Sequence, residues 1–416
     1  MHRSRNLLIL PWLIIFINLH LVFPVNGAYT VVQTGSMPIQ AKAAILMDAS
    51  SGRILYEMNP HQRVSPASVT KIMTALLVVE AGDLNQMVTV SEKAAATPES
   101  AVWLEAGEKL TREQLLYALM LNSANDSSVA LAESIAGTEE DFVERMNRRA
   151  WELGLEDTHF RNPHGLETDG HYSSAYDLAL VSREGMKHEM FRQVVASKTK
   201  VIPWIGKDFE RQLINKNRLL WRYDDAIGIK TGYTKVAGNC VVGAAQRGSL
   251  TLIAVALNSP CVYDDLKNML DHGFDNYSMQ TIEKSDQLSI EIPIANGQTD
   301  TFQARPEADL SVALTTHEKD QASYRVFPEE QIAAPVNEGQ VVGTCKVFVA
   351  DNEVSTFDLL ASIAVEEKPP LLSRVKSGVI TTATLGLKVL LIIFCCLYMI
   401  RIINLRRQRK RRKYRF

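Results

Sequence analysis

The chain has 416 residues, with 45 lysines and arginines against 47 aspartates and glutamates, for a formal net charge of −2. The last sixteen residues carry nine basic groups and no acid, and the first 28 carry only Arg3 and Arg5; the middle therefore holds 34 basic against 47 acidic groups, which excludes a basic nucleic-acid-binding body. An apolar fraction of 46% excludes wholesale disorder, five cysteines exclude a disulfide scaffold, and the length admits two domains plus extra segments.

Residues 1–28 read as a secretory signal peptide. Arg3 and Arg5 form a positive start, residues 7–23 an apolar stretch, and Val25, Gly27 and Ala28 supply small residues for cleavage after Gly27 or Ala28. An uncleaved anchor is the alternative, because the apolar stretch is long. Either way the following chain is expected outside the cytoplasm.

Residues 44–47 and 54–56 flank Ser51-Gly52 and predict a hairpin. Helical patterns follow over 66–80, 111–136 and 138–153, the first running into Gly82. Apolar runs at 240–245 and 252–257, separated by Arg247-Gly248, predict a second hairpin, and 262–277 a closing helix. Strands at both ends with helices between imply one sheet assembled from distant parts, with helices packed on it.

After Lys284 the texture changes. Leu288-Ser289-Ile290-Glu291-Ile292 alternates with period two, and 310–314 and 346–349 are further short strand candidates. This predicts a small all-β domain over 281–368, after a main domain over 29–280. Lys368-Pro369-Pro370 opens a stiff linker over 369–377. A transmembrane helix is predicted over 378–405, densest from Leu385 to Leu405, with Lys388 and Arg401 near enough to its ends to snorkel. Residues 406–416 form a basic tail, which places that end in the cytoplasm beside anionic lipid. Cys395 and Cys396 fall inside the span, and Cys240 and Cys261 are expected to be free thiols.

Three elements carry candidate chemistry. In S-P-A-S-V-T-K-I-M-T, Ser65 can cap a helix and Pro66 fits its first position, so Ser68 sits in the first turn, where free N–H groups favour a developing anion. Lys71, three residues on, shares its face at the start of a helix apolar nearly all round. Burial would lower the lysine's pKa and make it a base for the serine. S-x-x-K also occurs at Ser197, in a polar stretch, and at Ser373, in the linker; only the first copy opens a buried helix, and there capping competes with chemistry. Ser123-Ala124-Asn125 interrupts an apolar helical pattern, as a site or as a helix break satisfied by local hydrogen bonds. Lys230-Thr231-Gly232-Tyr233-Thr234 follows Ile227-Gly228-Ile229 on an expected strand: Gly232 permits close approach of a ligand, while an edge strand with a protective lysine is the plainer explanation.

Together and in this order, the three elements resemble those of the active-serine penicillin-recognising peptidases, with S-A-N where S-D-N is the familiar form. The flanking text, including F-R-N-P-H-G-L, H-Y-S-S-A-Y-D-L-A and K-T-G-Y-T, is similar to that of the low-molecular-mass D-alanyl-D-alanine carboxypeptidases over roughly 43–277. The resemblance implies an α+β fold, a β-lactamase/transpeptidase-like domain with an antiparallel sheet and packed helices, then a small all-β domain and the C-terminal anchor. It also implies roles. Ser68 attacks the carbonyl between two terminal D-alanines of a peptidoglycan stem peptide, Lys71 takes its proton, and Ser123 helps carry a proton to the leaving amine. Asn125 contacts the substrate amide. Lys230, Thr231 and Thr234 meet the terminal carboxylate, beside Gly232, and the N–H groups of Ser68 and Tyr233 form the oxyanion hole. Water hydrolyses the acyl-enzyme, and β-lactams acylate Ser68. No cofactor, metal or nucleic acid is implied; the partners are stem peptides, β-lactams and the cell membrane, with the enzyme single-pass and its catalytic domain extracytoplasmic.

Three rivals follow from the residues, of which an inactive binding scaffold would need a lost serine or lysine, whereas all three elements are present. His159, His164 and His171 cluster with Asp157, Asp169 and Asp177, but no H-E-x-x-H is present and the spacings fit no metal motif. A β-lactamase shares the three elements but needs fast deacylation, in one class through a dedicated glutamate; Glu167, after N-P-H-G-L, does not match that context.

Overall fold

The structure, a computed structural model, describes residues 37–369 and 387–407. The predicted signal peptide, the linker after Pro369, the start of the predicted span and the tail from residue 408 lie outside the described residues.

Five antiparallel strands form the central sheet, in the order Ile54–Met58, Ala43–Asp48, Leu250–Ser259, Gly238–Arg247, Ala226–Thr234. The first hairpin thus pairs with the last strands of the domain, as the sequence pattern implies. Ala43–Asp48 is buried at every residue because the sheet is covered on both faces. Ile45 and Met47 pack with the helical layer that contains Ile72 and Leu76, whereas Ala44 and Leu46 pack with Leu266, Met269 and Leu270 of the Val262–Asn276 helix. Leu250–Ser259 divides the same way, with Ile253 and Val255 on one face and Leu252 and Ala254 on the other. Two-sided burial turns a period-two element into an unbroken apolar run.

The helix Lys71–Ala81 lies at the centre of the helical layer, against Arg112–Leu121, Asn125–Ala136 and Ala175–Lys187. Two expectations need correction here. The pattern over 66–80 is not one α-helix: a short 3-10 turn, Ala67–Thr70, precedes Lys71, and Ser65 makes no capping bond. The pattern over 111–136 is two helices, separated at Asn122–Ala124, where Ser123 has a left-handed backbone (φ 63°) and Ala124 is extended. Thr111 closes a capping box with Gln114 at the start of the first of them. The sequence patterns also missed the helices Ala175–Lys187 and Glu189–Ala196. Two small hairpins escaped as well, Met87–Thr89 with Lys109–Thr111 and Thr199–Ile202 with Arg211–Ile214. Strands of three or four residues are too short to show a period.

Beyond the Val262–Asn276 helix, the strands Ile290–Pro293, Thr301–Pro306, Asn352–Ala361, Val341–Val349 and Ala322–Pro328 form a second antiparallel sheet in that spatial order. Ser278–Glu283 pairs with Leu310–Leu314. Phe302, Val312, Val347 and Leu359 share one apolar core. The strand expected at 288–292 begins at Ile290, and the one at 346–349 is the end of a nine-residue strand. The β region meets the first hairpin through Arg53, which donates to the Ala313 carbonyl and to both Glu318 oxygens, and through Ser355 Oγ, which donates to the Ser51 carbonyl at 2.9 Å. Among the described residues one helix is long and apolar enough to cross a bilayer: Leu387–Arg407, 21 residues with a mean hydropathy of 2.1.

Arg53→Met removes this fork at the joint. Thermal unfolding of the variant is expected to show a loss of about 1.5–3 kcal/mol, the usual range for hydrogen bonds to charged groups. Limited proteolysis is expected to cut sooner near residues 277–285, with the reactivity of Ser68 unchanged.

Candidate active site

Ser68 lies in the 3-10 turn that precedes the buried Lys71–Ala81 helix, so the two side chains of S-x-x-K meet across one turn. Lys71 Nζ stands 3.0 Å from Ser68 Oγ, 2.8 Å from Asn125 Oδ1 and 2.6 Å from the His164 carbonyl. Lys71 has no exposed surface. Burial, helped by the charges of Lys230 and Lys216, pushes its amine well below the ordinary lysine range.

The chemistry of its partners sets the hydrogen-bond directions around Lys71. The His164 carbonyl can only accept a hydrogen bond, and so can Asn125 Oδ1. A neutral Lys71 has two N–H groups and one lone pair. The two acceptors take the N–H groups, and the lone pair is left facing Ser68 Oγ. Asn125 is held in that orientation because its Nδ2 donates to the Pro98 carbonyl at 2.8 Å and its backbone N–H to the Ser100 carbonyl at 2.6 Å. The second Nδ2 proton remains available to a ligand.

The Ala226–Thr234 strand, paired throughout with Gly238–Arg247, carries the third element. It passes so close to the Ser68 turn that a Cβ on Gly232 would lie 2.9 Å from Ser68 N and 3.1 Å from the Pro66 carbonyl. A side chain here would push the strand away from the Ser68 turn. Lys230 is buried, donates to the Thr231 carbonyl at 3.1 Å, and is lowered to about 7 by burial and by the charge of Lys216. Thr231 and Gly232 are half-exposed, Tyr233 is exposed, and the Thr234 hydroxyl accepts from the Ala237 N–H at 3.0 Å.

The segment F-R-N-P-H-G-L, with His171 just beyond it, is tied to the Lys71–Ala81 helix and to the turn that precedes it. Thr74 Oγ1 donates to the Pro163 carbonyl at 2.6 Å, Lys71 to that of His164, and His171 Nε2 meets Thr70 Oγ1 at 2.8 Å. Gly165 has φ +86° and comes so near that a Cβ would fall 1.9 Å from the Ala67 carbonyl oxygen. Burial lowers His164, and lowers His171 to about 3. The His164 and His171 Nδ1 atoms accept the N–H groups of Leu166 and Arg161, and His159 Nδ1 lies 2.9 Å from the Gly170 carbonyl. These rings serve as hydrogen-bonding struts. The group of potential metal ligands found among the described residues lies elsewhere, at Glu80, Glu184 and His188, and Arg149 already bridges the two glutamates.

The structure therefore joins Ser68, Lys71 and Asn125 directly and brings Gly232 against them, with Lys230 close enough to act on Lys71 electrostatically. Ser123 is buried two residues before Asn125 but makes no hydrogen bond among the described residues. The Ser197 copy of S-x-x-K ends a helix, its hydroxyl donating to the Gln193 carbonyl. Sequence reasoning missed Lys216, whose charge acts on both Lys71 and Lys230 and whose own pKa is lowered by burial. It also missed the His164 carbonyl. Neither has a motif, since one is a lone lysine and the other a backbone atom. A groove of about 560 Å³ opens past the end of the Ala226–Thr234 strand, lined by Ser65, Glu167, Asp169, Tyr172 and Val236 among others.

Comparison with known proteins gives two family matches. Residues 30–261 match the D-alanyl-D-alanine carboxypeptidase family, and residues 277–367 the C-terminal domain of penicillin-binding protein 5. D-alanyl-D-alanine carboxypeptidase DacF of Bacillus subtilis is 35% identical over 332 residues, 77% of this chain and 85% of that one. DacC of Escherichia coli is 32% identical over 361 residues, 82% and 88% of the two chains. Among solved structures, penicillin binding protein 5 of Haemophilus influenzae superposes with a TM-score of 0.64 at 28% identity, covering 80% of this chain and all of that one. Penicillin binding protein 6B of Escherichia coli gives 0.62 at 29%, covering 79% and 97%.

The charges at the site predict a bell-shaped pH dependence for acylation of Ser68. A Lys71 acting as base must be neutral, so the rate is expected to rise as pH rises through its lowered pKa. Burial is the main cause at both amines, holding Lys71 well below the ordinary lysine range and lowering Lys230 to about 7. The rate then falls as Lys230 loses its charge, near pH 7 in the empty enzyme. Lys230→Arg, which stays charged, is expected to abolish the descending limb in a stopped-flow series with a β-lactam.

Proposed function

The chain belongs to the D-alanyl-D-alanine carboxypeptidase family and is a serine-type carboxypeptidase of cell-wall metabolism; from that premise we propose that Ser68 is its nucleophile and Lys71 the base. The observation that supports this assignment is that buried Lys71 Nζ lies 3.0 Å from Ser68 Oγ while its other two partners can only accept hydrogen bonds. A β-lactamase, the alternative raised by the sequence, is not favoured: the chain aligns with carboxypeptidases along most of its length and carries their second domain.

The substrate is a peptidoglycan stem peptide ending in D-Ala-D-Ala. Its carboxylate lies at Lys230, Thr231 and Thr234, and Lys216 adds charge there. The scissile carbonyl oxygen points at the N–H groups of Ser68 and Tyr233, which the close passage of Gly232 brings together. Ser68 Oγ bonds to the carbonyl carbon as its proton passes to Lys71. The C–N bond then breaks, and the leaving amine takes a proton by way of Ser123, releasing D-alanine. Asn125 presents its free Nδ2 proton to the carbonyl of the preceding amide. A water completes the cycle by hydrolysing the Ser68 ester. The upstream peptide continues off the strand end, past Val236, into the groove. β-Lactams present the same carbonyl and carboxylate and acylate Ser68.

The Leu387–Arg407 helix fits a membrane anchor. A secretory signal at the N-terminus and arginines at the far end of this helix put the catalytic domain on the extracytoplasmic side and the tail in the cytoplasm. Proteolysis of intact and permeabilised cells tests this: the body is expected to be cut in spheroplasts and the tail only after permeabilisation.

Intact-mass spectrometry of the full chain in detergent, mixed with benzylpenicillin, tests the nucleophile. The expected result is one covalent adduct on Ser68 that is absent in Ser68→Ala and strongly slowed in Lys71→Ala. An adduct elsewhere, or its persistence in Ser68→Ala, would remove the assignment.

A further inference from the structure

Arg211 is a buried arginine with all five N–H groups engaged. Nε donates to the Val102 carbonyl at 2.8 Å. Nη1 donates to Glu108 Oε1 at 2.5 Å and to the Pro203 carbonyl at 3.0 Å. Nη2 donates to Glu108 Oε2 at 2.8 Å and to the Trp103 carbonyl at 3.0 Å. Both side chains of the Arg211–Glu108 pair are 3% exposed. A buried ion pair is a poor way to gain stability, because desolvation offsets the attraction. Its position suggests another use.

The carbonyls it holds flank a strained residue. Trp103 has φ +55°, a backbone region that costs a residue with a large side chain and persists only where its surroundings impose it. The matching N–H groups are held from the other side. Buried Asp126 accepts from Val102 N at 3.1 Å and Leu104 N at 3.0 Å. Val102–Leu104 is therefore clasped between a buried cation and a buried anion. Asp126 directly follows Asn125, and the chain two and four residues before Val102 offers the Ser100 and Pro98 carbonyls that receive the Asn125 backbone N–H and Nδ2. Apart from the bond with Lys71, the side-chain and N–H bonds of Asn125 go to Pro98 and Ser100, in the stretch that leads directly into the residues Arg211 fixes.

We propose that Arg211 is a positioning residue for the reaction: through the clasped Val102–Leu104 segment it fixes the Nδ2 end of the Asn125 carboxamide, whose Oδ1 is held by Lys71, so that the free Nδ2 proton faces the amide of the substrate. Arg211 touches no reacting atom itself. The proposal rests on the function given above and adds to it a residue with no motif of its own.

The test uses the full chain in detergent and two β-lactams, benzylpenicillin, which carries an acylamide, and 6-aminopenicillanic acid, which has a free amine there. Arg211→Lys keeps the charge opposite Glu108 but has three N–H groups for five acceptors. The paired variant Arg211→Met with Glu108→Met removes both charges together and strands neither. In each, acylation by benzylpenicillin is expected to slow about tenfold, equivalent to about 1.4 kcal/mol, and acylation by 6-aminopenicillanic acid by less than about threefold. In an Asn125→Ala background, Arg211→Lys is expected to add nothing, since both changes act on one contact. Equal slowing of the two compounds, full additivity with Asn125→Ala, or no slowing in variants that circular dichroism shows to be folded would overturn the proposal. If the unaltered protein is acylated on Ser68 by neither compound, the assignment of Ser68 fails first, and Arg211 has no reaction to position.

Discussion

The site depends on an amine kept out of water. Lys71 begins a helix whose other residues are mostly apolar and buried, and an ammonium there lacks the solvation that would hold its proton. The protein answers with acceptors rather than a counter-ion: one side-chain oxygen and one backbone carbonyl beside the serine. A carboxylate at the same place would have kept the lysine charged. Neutral acceptors leave the amine buried, hydrogen-bonded and basic.

Those acceptors come from two distant stretches of chain, and much of the local irregularity serves to deliver them. The helix pattern over 111–136 must break for Asn125 to start a new helix facing Lys71, and Ser123 takes up the left-handed turn that allows it. The loop through Pro163, His164 and Gly165 must press against the Ser68 turn, and at Gly165 only a residue without Cβ can. On the third side Gly232 lets the strand approach. Ala67, Glu99, Trp103 and Ser123 all have positive φ, each in or near a segment that touches Ser68, Lys71 or Asn125. Backbone strain of this kind is tolerated where surrounding contacts over-determine it, as the clasp on Val102–Leu104 does.

The rest of the fold provides a rigid base for this arrangement. The sheet is buried on both faces, so the strand bearing Lys230 to Thr234 is fixed by its neighbour and by packing beneath. Strands make a better platform than loops for groups that must hold position to fractions of an ångström. The small β domain is pinned to the opposite edge of that sheet, at the first hairpin, by Arg53, Asp48 and Ser355. It contributes no group to the site.

The sequence by itself was enough for the class of the protein. Apolar runs at 44–47, 240–245 and 252–257 marked the sheet, because strands covered on both sides must be apolar throughout. The order of S-x-x-K, S-A-N and K-T-G-Y-T, with the text around them, marked the family, and the alternation after Lys284 marked the second domain. Local pattern did not fix where the elements end. It joined two helices across Asn122–Ala124 and extended a helix back through Ser68, because propensity cannot register a break imposed by packing. Nor did it reveal Lys216, the His164 carbonyl or the Arg211–Glu108 clasp. Each acts only through residues far away in sequence, and a carbonyl or a lone charged side chain carries no signature until the fold surrounds it. The candidate residues were written in short motifs; how Lys71 comes to be buried among neutral acceptors, and what keeps Asn125 against it, was decided by tertiary contacts, because burial and hydrogen-bond direction exist only once the chain has closed around the amine.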